Sequence, residues 1–329
     1  MSRSPFKKRV RSTSTSGEPK ILDPSSVSDI NDAVEMIQYK IEGKSPEIAI
    51  VCGSGWSSLP LPDQVHAEVD FAELFLPKSA VPSHNNKFVF GDYEYTTEDG
   101  TKQRAFICVL KGRLHPYEFN MNTALCSLPI LIMARLGIKK LILTNAVGGS
   151  GEGGYDSKTF VLIDDHICLP ALSGFSPLMG IPTLKALGLQ AAKEDKFVVF
   201  HNDTPYRKNV NEALMNHWQD DEKMKVKRGV YAMQGGPEFE TPAEINFLLT
   251  HGGANCVGLS LAHEALVAKY LNMDIVGISL ITNTKNDPEE PNHDAVKSTM
   301  EEGSECFENG AKLLNKAVGL MLELPAGNA

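Results

Sequence analysis

Short apolar runs that end in small residues alternate with amphipathic stretches along most of the chain. The first run, EIAIVCGSGW, follows DPSSVSDINDAVEMIQYKI, where Ile30, Ala33, Val34, Ile37 and Ile41 recur at helical spacing behind a start at Ser28 or Asp29. Further runs are FVFGDYEY, RAFICVLKGR, KKLILTNAVGG, TFVLIDDHICL, GVYAMQGG, ANCVGLS and DIVGISLITN. Helical patterns occupy TALCSLPILIMARLG, TPAEINFLLTHGG and AHEALVAKYLN, and a long amphipathic helix is predicted from about Asp294 to Leu324. Continuous apolar runs of this length read as buried strands. Strands alternating with helices imply a mostly parallel or mixed sheet with helices on both faces. No internal repeat and no linker after residue 22 breaks the pattern, so the prediction is an α/β fold: a single large domain over 23–329 with a central mixed sheet flanked by helices.

Residues 1–22 form a separate tail, whose first 20 hold six Lys or Arg, one acid and a run of Ser and Thr. That make-up predicts a solvated, disordered segment. A transit peptide would share the composition but needs an amphipathic repeat, which is missing. Over all 329 residues, 32 basic against 41 acidic residues leave a charge of -9; without the first 20 residues, 26 against 40 leave about -14. An acidic body argues against nonspecific binding to nucleic acid or anionic membrane. It also means that an anionic ligand must be captured by short-range donors. The six cysteines contain no C-x-x-C pair, which argues against a zinc ribbon or a redox dithiol and favours a reduced, cytoplasmic setting. No apolar run approaches the ~20 residues of a membrane span, and the N-terminus has no apolar signal-peptide region. A soluble intracellular protein is expected.

In open α/β sheets ligands bind beyond the carboxyl ends of the strands. Five runs end there in small or polar residues, Gly53-Ser54-Gly55, Gly112-Arg113-Leu114-His115, Thr144-Asn145-Ala146, Gly235-Gly236-Pro237 and Thr282-Asn283, and these turns should crowd together. The first would aim backbone N–H groups and the Ser54 hydroxyl at an anion. Ser58 stands where a dinucleotide fingerprint needs its third glycine, and the lysine of a P-loop is missing, so a Rossmann enzyme is disfavoured. Arg113 supplies a charged fork for phosphate and His115 a second donor; the plainer reading is a surface Arg113 paired with an acid such as Glu118. Phe239 offers a stacking face and Glu240 a carboxylate to a flat heterocycle, unless the acids only complement a helix N-terminus. The Asn283 amide can donate or accept.

Taken in order, GSG, GRLHPYE, LTNAVGG, DDHICLPALSG, YAMQGGPEFETPAE, VGLS and SLITN resemble the trimeric class of purine nucleoside phosphorylases, from about residue 23 to 325. The resemblance implies the nucleoside phosphorylase type I fold and a pentosyltransferase of nucleoside metabolism and purine salvage. Such enzymes cleave the N-glycosidic bond of purine (deoxy)ribonucleosides with inorganic phosphate as co-substrate, using no metal or organic cofactor. It implies small-molecule substrates, no nucleic acid or membrane partner, and a homotrimer. Carried over by motif, Ser54, His84, Arg113, His115, Ser260 and the N–H of Ala146 would hold phosphate. Tyr117, Phe239, Glu240, Leu259, Asn283 and His293 would hold the nucleoside, and Asn283, Glu240 and His115 would carry the catalysis. Asn283, where methylthioadenosine phosphorylases have Asp, implies inosine and guanosine as substrates.

Four departures stand out: Trp56 in a loop that is usually GSGLG, Leu259 in place of Met, His263 in place of Pro, and only nine residues between Asn283 and His293. Trp56 is expected beside the phosphate turn, where its bulk would slow the loop. Phe197 or Phe200 would serve a neighbouring subunit's sugar site. A methylthioadenosine phosphorylase and a nucleoside-binding relative without turnover are the alternatives.

Overall fold

The computed structural model describes residues 21–82, 84–189, 203–287 and 298–325. The tail through residue 20, the two phenylalanines offered to a neighbouring subunit and His293 lie outside these residues. Nine strands form one mixed sheet: β1 (Ile48–Cys52), β2 (Gln64–Asp70), β3 (Lys87–Thr96), β4 (Lys102–Lys111), β5 (Lys140–Gly149), β6 (Phe160–Cys168), β7 (Val226–Met233), β8 (Cys256–Gly258) and β9 (Asp274–Thr284). The order is β2-β3-β4-β1-β5-β8-β7-β6-β9, and β5 also pairs with β9. Strands β5, β9, β6, β7 and β8 therefore close into a ring, while β2, β3, β4 and β1 extend from β5 as an open wing. Parallel pairs (β1–β4, β1–β5, β5–β9, β6–β7, β7–β8) outnumber the antiparallel ones.

The alternation of side chains along a strand decides where the core lies. In β1, Ala49 and Val51 join one buried cluster, and Ile48, Ile50 and Cys52 join a second on the opposite face. Helices α1 (Val27–Lys40), α2 (Thr123–Cys126), α3 (Leu128–Arg135), α4 (Leu169–Leu172) and α7 (Ala262–Tyr270) contribute to or pack against the first. Helices α5 (Lys208–Trp218) and α8 (Glu305–Glu323) cover the second. No described helix is long and apolar enough to cross a membrane.

Several element boundaries differ from the pattern. The first helix is capped by Ser26, whose hydroxyl accepts from Asp29 N–H, two or three residues before the expected start at Ser28 or Asp29. Packing begins earlier still: Leu22 is buried and its N–H donates to Phe75 O. TALCSLPILIMARLG is broken at Ser127, just before Pro129, which cannot donate a backbone N–H. TPAEINFLLTHGG gives only the short α6 (Pro242–Ile245) followed by a π-helical turn. The predicted terminal helix is interrupted: Ser298 and Thr299 are helical, but Gly303 has φ +83° and the last helix begins afresh at Glu305 behind the Ser304 cap.

Candidate active site

Where the open wing joins the ring, the carboxyl ends of β1, β4, β5, β7, β8 and β9 converge around a cavity of about 820 Å³. The glycine end of β5 makes this possible, since Gly148 and Gly149 pair with Val257 and Cys256 on one side and with Asn283 and Thr284 on the other. A bulge between Val147 and Gly148 shifts the β5–β9 register there, and bulges commonly re-aim side chains next to sites. Ser54, His115, Tyr117, Ala146, Phe239, Glu240, Leu259, Ser260 and Asn283 all line the cavity.

His84 and Arg113 lie one layer deeper. His84 is 6% exposed, with Nδ1 2.8 Å from Arg113 O and Nε2 3.4 Å from the Ser54 hydroxyl. Burial, aided by the neighbouring His115, pulls its pKa down to about 3, so His84 meets Ser54 as a neutral ring. The rings of His84, His115 and Tyr117 stack in sequence at 5.1 and 5.2 Å. Strand β4 stops at Lys111 instead of continuing, and His115 caps the short turn Pro116–Phe119.

The acids divide differently from the sequence expectation. Glu118 takes His115, not Arg113: its carboxylate lies 3.0 Å from His115 Nδ1 and accepts from Ala80 N–H and the Ser79 hydroxyl. Although burial opposes it, the His115 bond and these donors hold the Glu118 carboxyl near pKa 2. Arg113, only 1% exposed, is gripped from below by Glu264 of α7, through Nε at 3.3 Å and Nη2 at 2.9 Å. Its remaining nitrogen, Nη1, donates to Thr144 O at 2.8 Å and to the Ser260 hydroxyl at 3.1 Å. Arg113 is thus neither a surface residue nor a cavity-lining one; it positions Ser260, and Glu264 offsets its charge. Gly53 allows this packing, for a Cβ there would lie 2.9 Å from Arg113 Nη1.

On the other side of the cavity the Thr282 hydroxyl is a donor within reach of Asn283 Oδ1 at 3.2 Å and Val147 O at 3.4 Å. The Asn283 amide nitrogen is left to serve as donor, beside Gly148, where a Cβ would lie 3.5 Å from it. Glu240 is half-buried and precedes the capping box of Thr241 and Glu244, so the helix terminus is satisfied by other residues. Burial raises its carboxyl above the ordinary range. Phe239 is 48% exposed at the rim.

Sequence reasoning missed Thr282 and Glu264 as partners, and passed over the Asn145 side chain. The Asn145 Oδ1 accepts from the Ser279 hydroxyl at 2.6 Å, and its buried Nδ2 has no partner among the described residues. Two departures also find their place. Trp56 does not crowd the Gly53-Ser54-Gly55 turn but points into the core. His263 is fully buried, with burial and the field of Arg113 keeping its ring neutral.

A family profile described as the phosphorylase superfamily matches residues 47–316. Purine nucleoside phosphorylase from Bos taurus is 31% identical over 83% of this chain and 89% of its own length. Purine nucleoside phosphorylase 1 from Geobacillus stearothermophilus is 31% identical over 77% of this chain and 84% of its own. The chain belongs to the purine nucleoside phosphorylase family. It is accordingly a pentosyltransferase. Among solved structures, Schistosoma mansoni purine nucleoside phosphorylase in complex with inosine superposes with a TM-score of 0.70 at 28% identity, covering 94% of this chain and 99% of that one. A Schistosoma mansoni purine nucleoside phosphorylase in complex with adenosine gives a TM-score of 0.69 at 28% identity, over 91% and 98% of the two chains.

Proposed function

We propose that this enzyme carries out phosphorolysis of 6-oxopurine nucleosides, inosine and guanosine with their deoxy forms, as a step of purine salvage. In that reaction the C1′–N9 bond breaks, its electron pair leaves with the purine, and a phosphate oxygen forms the new bond to C1′. The purine takes up a proton from water. Groups that favour the developing charges stabilise the transition state more than the ground state. Ser54, Ser260, His115 and the Ala146 N–H would hold phosphate below the sugar, with His84 behind Ser54 and Arg113 supporting Ser260. Tyr117, Leu259 and His293 would contact the sugar, and Phe239 would cover the base. The reaction needs no metal or organic cofactor.

The observation that carries the specificity is the Thr282 hydroxyl, a donor within reach of Asn283 Oδ1. It leaves N–H donors for purine O6 and N7, and a 6-amino group would face a donor instead of an acceptor. Glu240 adds an acceptor for the N1–H that 6-oxopurines have and adenine lacks. A homotrimeric assembly belongs to the same proposal, supported by three exposed apolar side chains close in sequence, Leu172 and Met179, each 76% exposed, and Phe175. So does a cytoplasmic location, supported by six buried, unpaired cysteines.

The test is purified protein with inosine, guanosine, adenosine and methylthioadenosine, each with and without phosphate, following base release. Phosphate-dependent release from inosine and guanosine should exceed that from adenosine and methylthioadenosine. Faster phosphorolysis of either 6-amino substrate would overturn the specificity, and no phosphate-dependent release from any substrate would leave a binding protein. A monomer in sedimentation would contradict the trimer.

A further inference from the structure

Trp56 begins the 3₁₀ turn Trp56–Ser58 directly after Gly53-Ser54-Gly55, but its side chain leaves the cavity and is fully buried. Its ring meets Phe160 edge-on at 5.9 Å, and its indole Nε1–H donates to the backbone oxygen of Asn145 at 3.1 Å. That oxygen belongs to the same peptide unit as the N–H of Ala146. A trans peptide is planar, with C=O and N–H pointing in opposite directions. Drawing the oxygen toward Trp56 therefore turns the Ala146 N–H to the other side. Ala146 and Ser54 both line the cavity.

We propose that Trp56 is a positioning residue for phosphate: its indole N–H sets the orientation of the Asn145–Ala146 peptide and fixes that peptide's N–H relative to the Ser54 hydroxyl. The inference rests on reading the cavity as a phosphate site. The turn that carries Trp56 is itself braced. Trp56 N–H donates to Gly53 O at 3.0 Å, the Ser57 hydroxyl to Cys52 O at 3.0 Å and the Ser58 hydroxyl to Gly55 O at 2.9 Å. Movement of the indole would therefore move Ser54 with it. A carbonyl that accepts a hydrogen bond also polarises its peptide, which strengthens the N–H as a donor. The leucine usual at this position in the family fills space but cannot donate, so this chain ties its two strand ends together by a polar contact of its own.

Trp56→Phe removes the indole N–H and keeps an apolar ring. The KM for phosphate should rise about five- to tenfold, the effect of one ordinary hydrogen bond. The KM for inosine, and kcat at saturating phosphate, should change less than about twofold on the same grounds. A purely structural role would instead lower stability and active fraction without separating the two KM values. Should Trp56→Phe fail to fold, Trp218→Phe leaves Trp56 as the sole indole, since the chain has two tryptophans. Its ¹H–¹⁵N resonance should then shift on titration with inorganic phosphate. Normal wild-type phosphorolysis with an unchanged phosphate KM in Trp56→Phe, or an indole resonance indifferent to saturating phosphate, overturns the inference alone. Wild-type protein that neither binds nor uses phosphate overturns the reading of the cavity, and the inference with it.

Discussion

Replacing Glu264 by alanine should be among the most costly single changes near the site, although Glu264 does not line the cavity. Its side chain is 2% exposed and that of Arg113 1%, so the variant leaves a permanently charged guanidinium without its two carboxylate bonds. Removing one partner of a buried ion pair typically costs about 3–5 kcal/mol, a large part of a total stability of roughly 5–15 kcal/mol. With an unfolding entropy of roughly 2.1 cal/mol/K per residue over about 300 residues, the melting temperature should fall by about 5–8 °C. Burial pushes the Glu264 carboxyl up and Arg113 only partly restores it, so the intact pair itself carries a desolvation cost. Removing both charges should therefore be milder than removing one. The assay is calorimetric unfolding of Glu264→Ala and of the closed cycle Glu264→Leu, Arg113→Met and Glu264→Leu/Arg113→Met, with phosphate KM measured in parallel. The double variant should recover at least ~2 kcal/mol relative to the summed single changes. A Glu264→Ala loss below ~1 kcal/mol, or single effects that simply add, would refute the buried-pair account. Phosphate KM should rise in every variant, because Arg113 Nη1 no longer holds the Ser260 hydroxyl as it does at 3.1 Å in the native protein.

Asn283→Ala should lower kcat/KM for inosine by about 10²–10³ with an unchanged circular dichroism spectrum, and Asn283→Asp should shift the inosine-to-adenosine ratio toward adenosine; near-normal inosine turnover in the alanine variant would remove Asn283 from the mechanism. Burial raises the Glu240 carboxyl, so its ionised form costs stability above its folded pKa, a cost absent below the ordinary value near 4.5. Glu240→Gln should thus be more thermostable than wild type at pH 8 by a margin that narrows toward pH 4.5, while losing inosine turnover; a margin that widens on acidification would contradict the assignment. Glu118 behaves in the opposite way, contributing stability that is present above about 4.5 and lost as pH falls toward about 2. Acid unfolding of Glu118→Gln should therefore depend less steeply on pH than that of wild type over that window. In Gly53→Ala the new Cβ would lie 2.7 Å from Thr144 O, a backbone atom, so a loss of about 1–3 kcal/mol is expected in urea titrations, and a change within 0.5 kcal/mol would show that the strand end yields more easily.

The phosphate question raised by the acidic composition has a sharper form in the folded protein. Arg113 is paired with Glu264, and the neighbouring His84 ring is neutral. Much of the proposed anion site is thus built from hydroxyls and peptide N–H groups, dipoles that an acidic surface does not cancel at contact distance.

Local chemistry marked eight of the nine strands and where their ends would place polar groups; it missed the edge strand β2, whose largely exposed residues QVHAEVD make no apolar run. EIAIVC and KLILT are apolar because both faces of their strands are covered, and Gly53 and Gly149 mark where other atoms come too close for a side chain. That is why Ser54, His115, Ala146, Glu240 and Asn283 could be named from the chain alone and are found around one cavity. Partnerships across long separations were not legible in this way. Arg113 could pair with a nearby acid or a distant one, and the packing of α7 against α3, β6 and β9 brings up Glu264, 151 residues away, in place of Glu118. Trp56 looked like an obstacle in a loop because nothing local shows that the apolar cluster behind β1 has room for an indole, or that Asn145 O, 89 residues on, would accept its proton. Helix limits slipped for a related reason: Ser127 with Pro129, and Gly303 with Ser304, override a continuous apolar pattern once backbone donors must be satisfied. Periodicity is a property of neighbours along the chain and survives in the sequence, whereas the closing of β5, β9, β6, β7 and β8 into a ring is a property of the whole core. That closure decides which strand ends share a cavity and which charges are buried together.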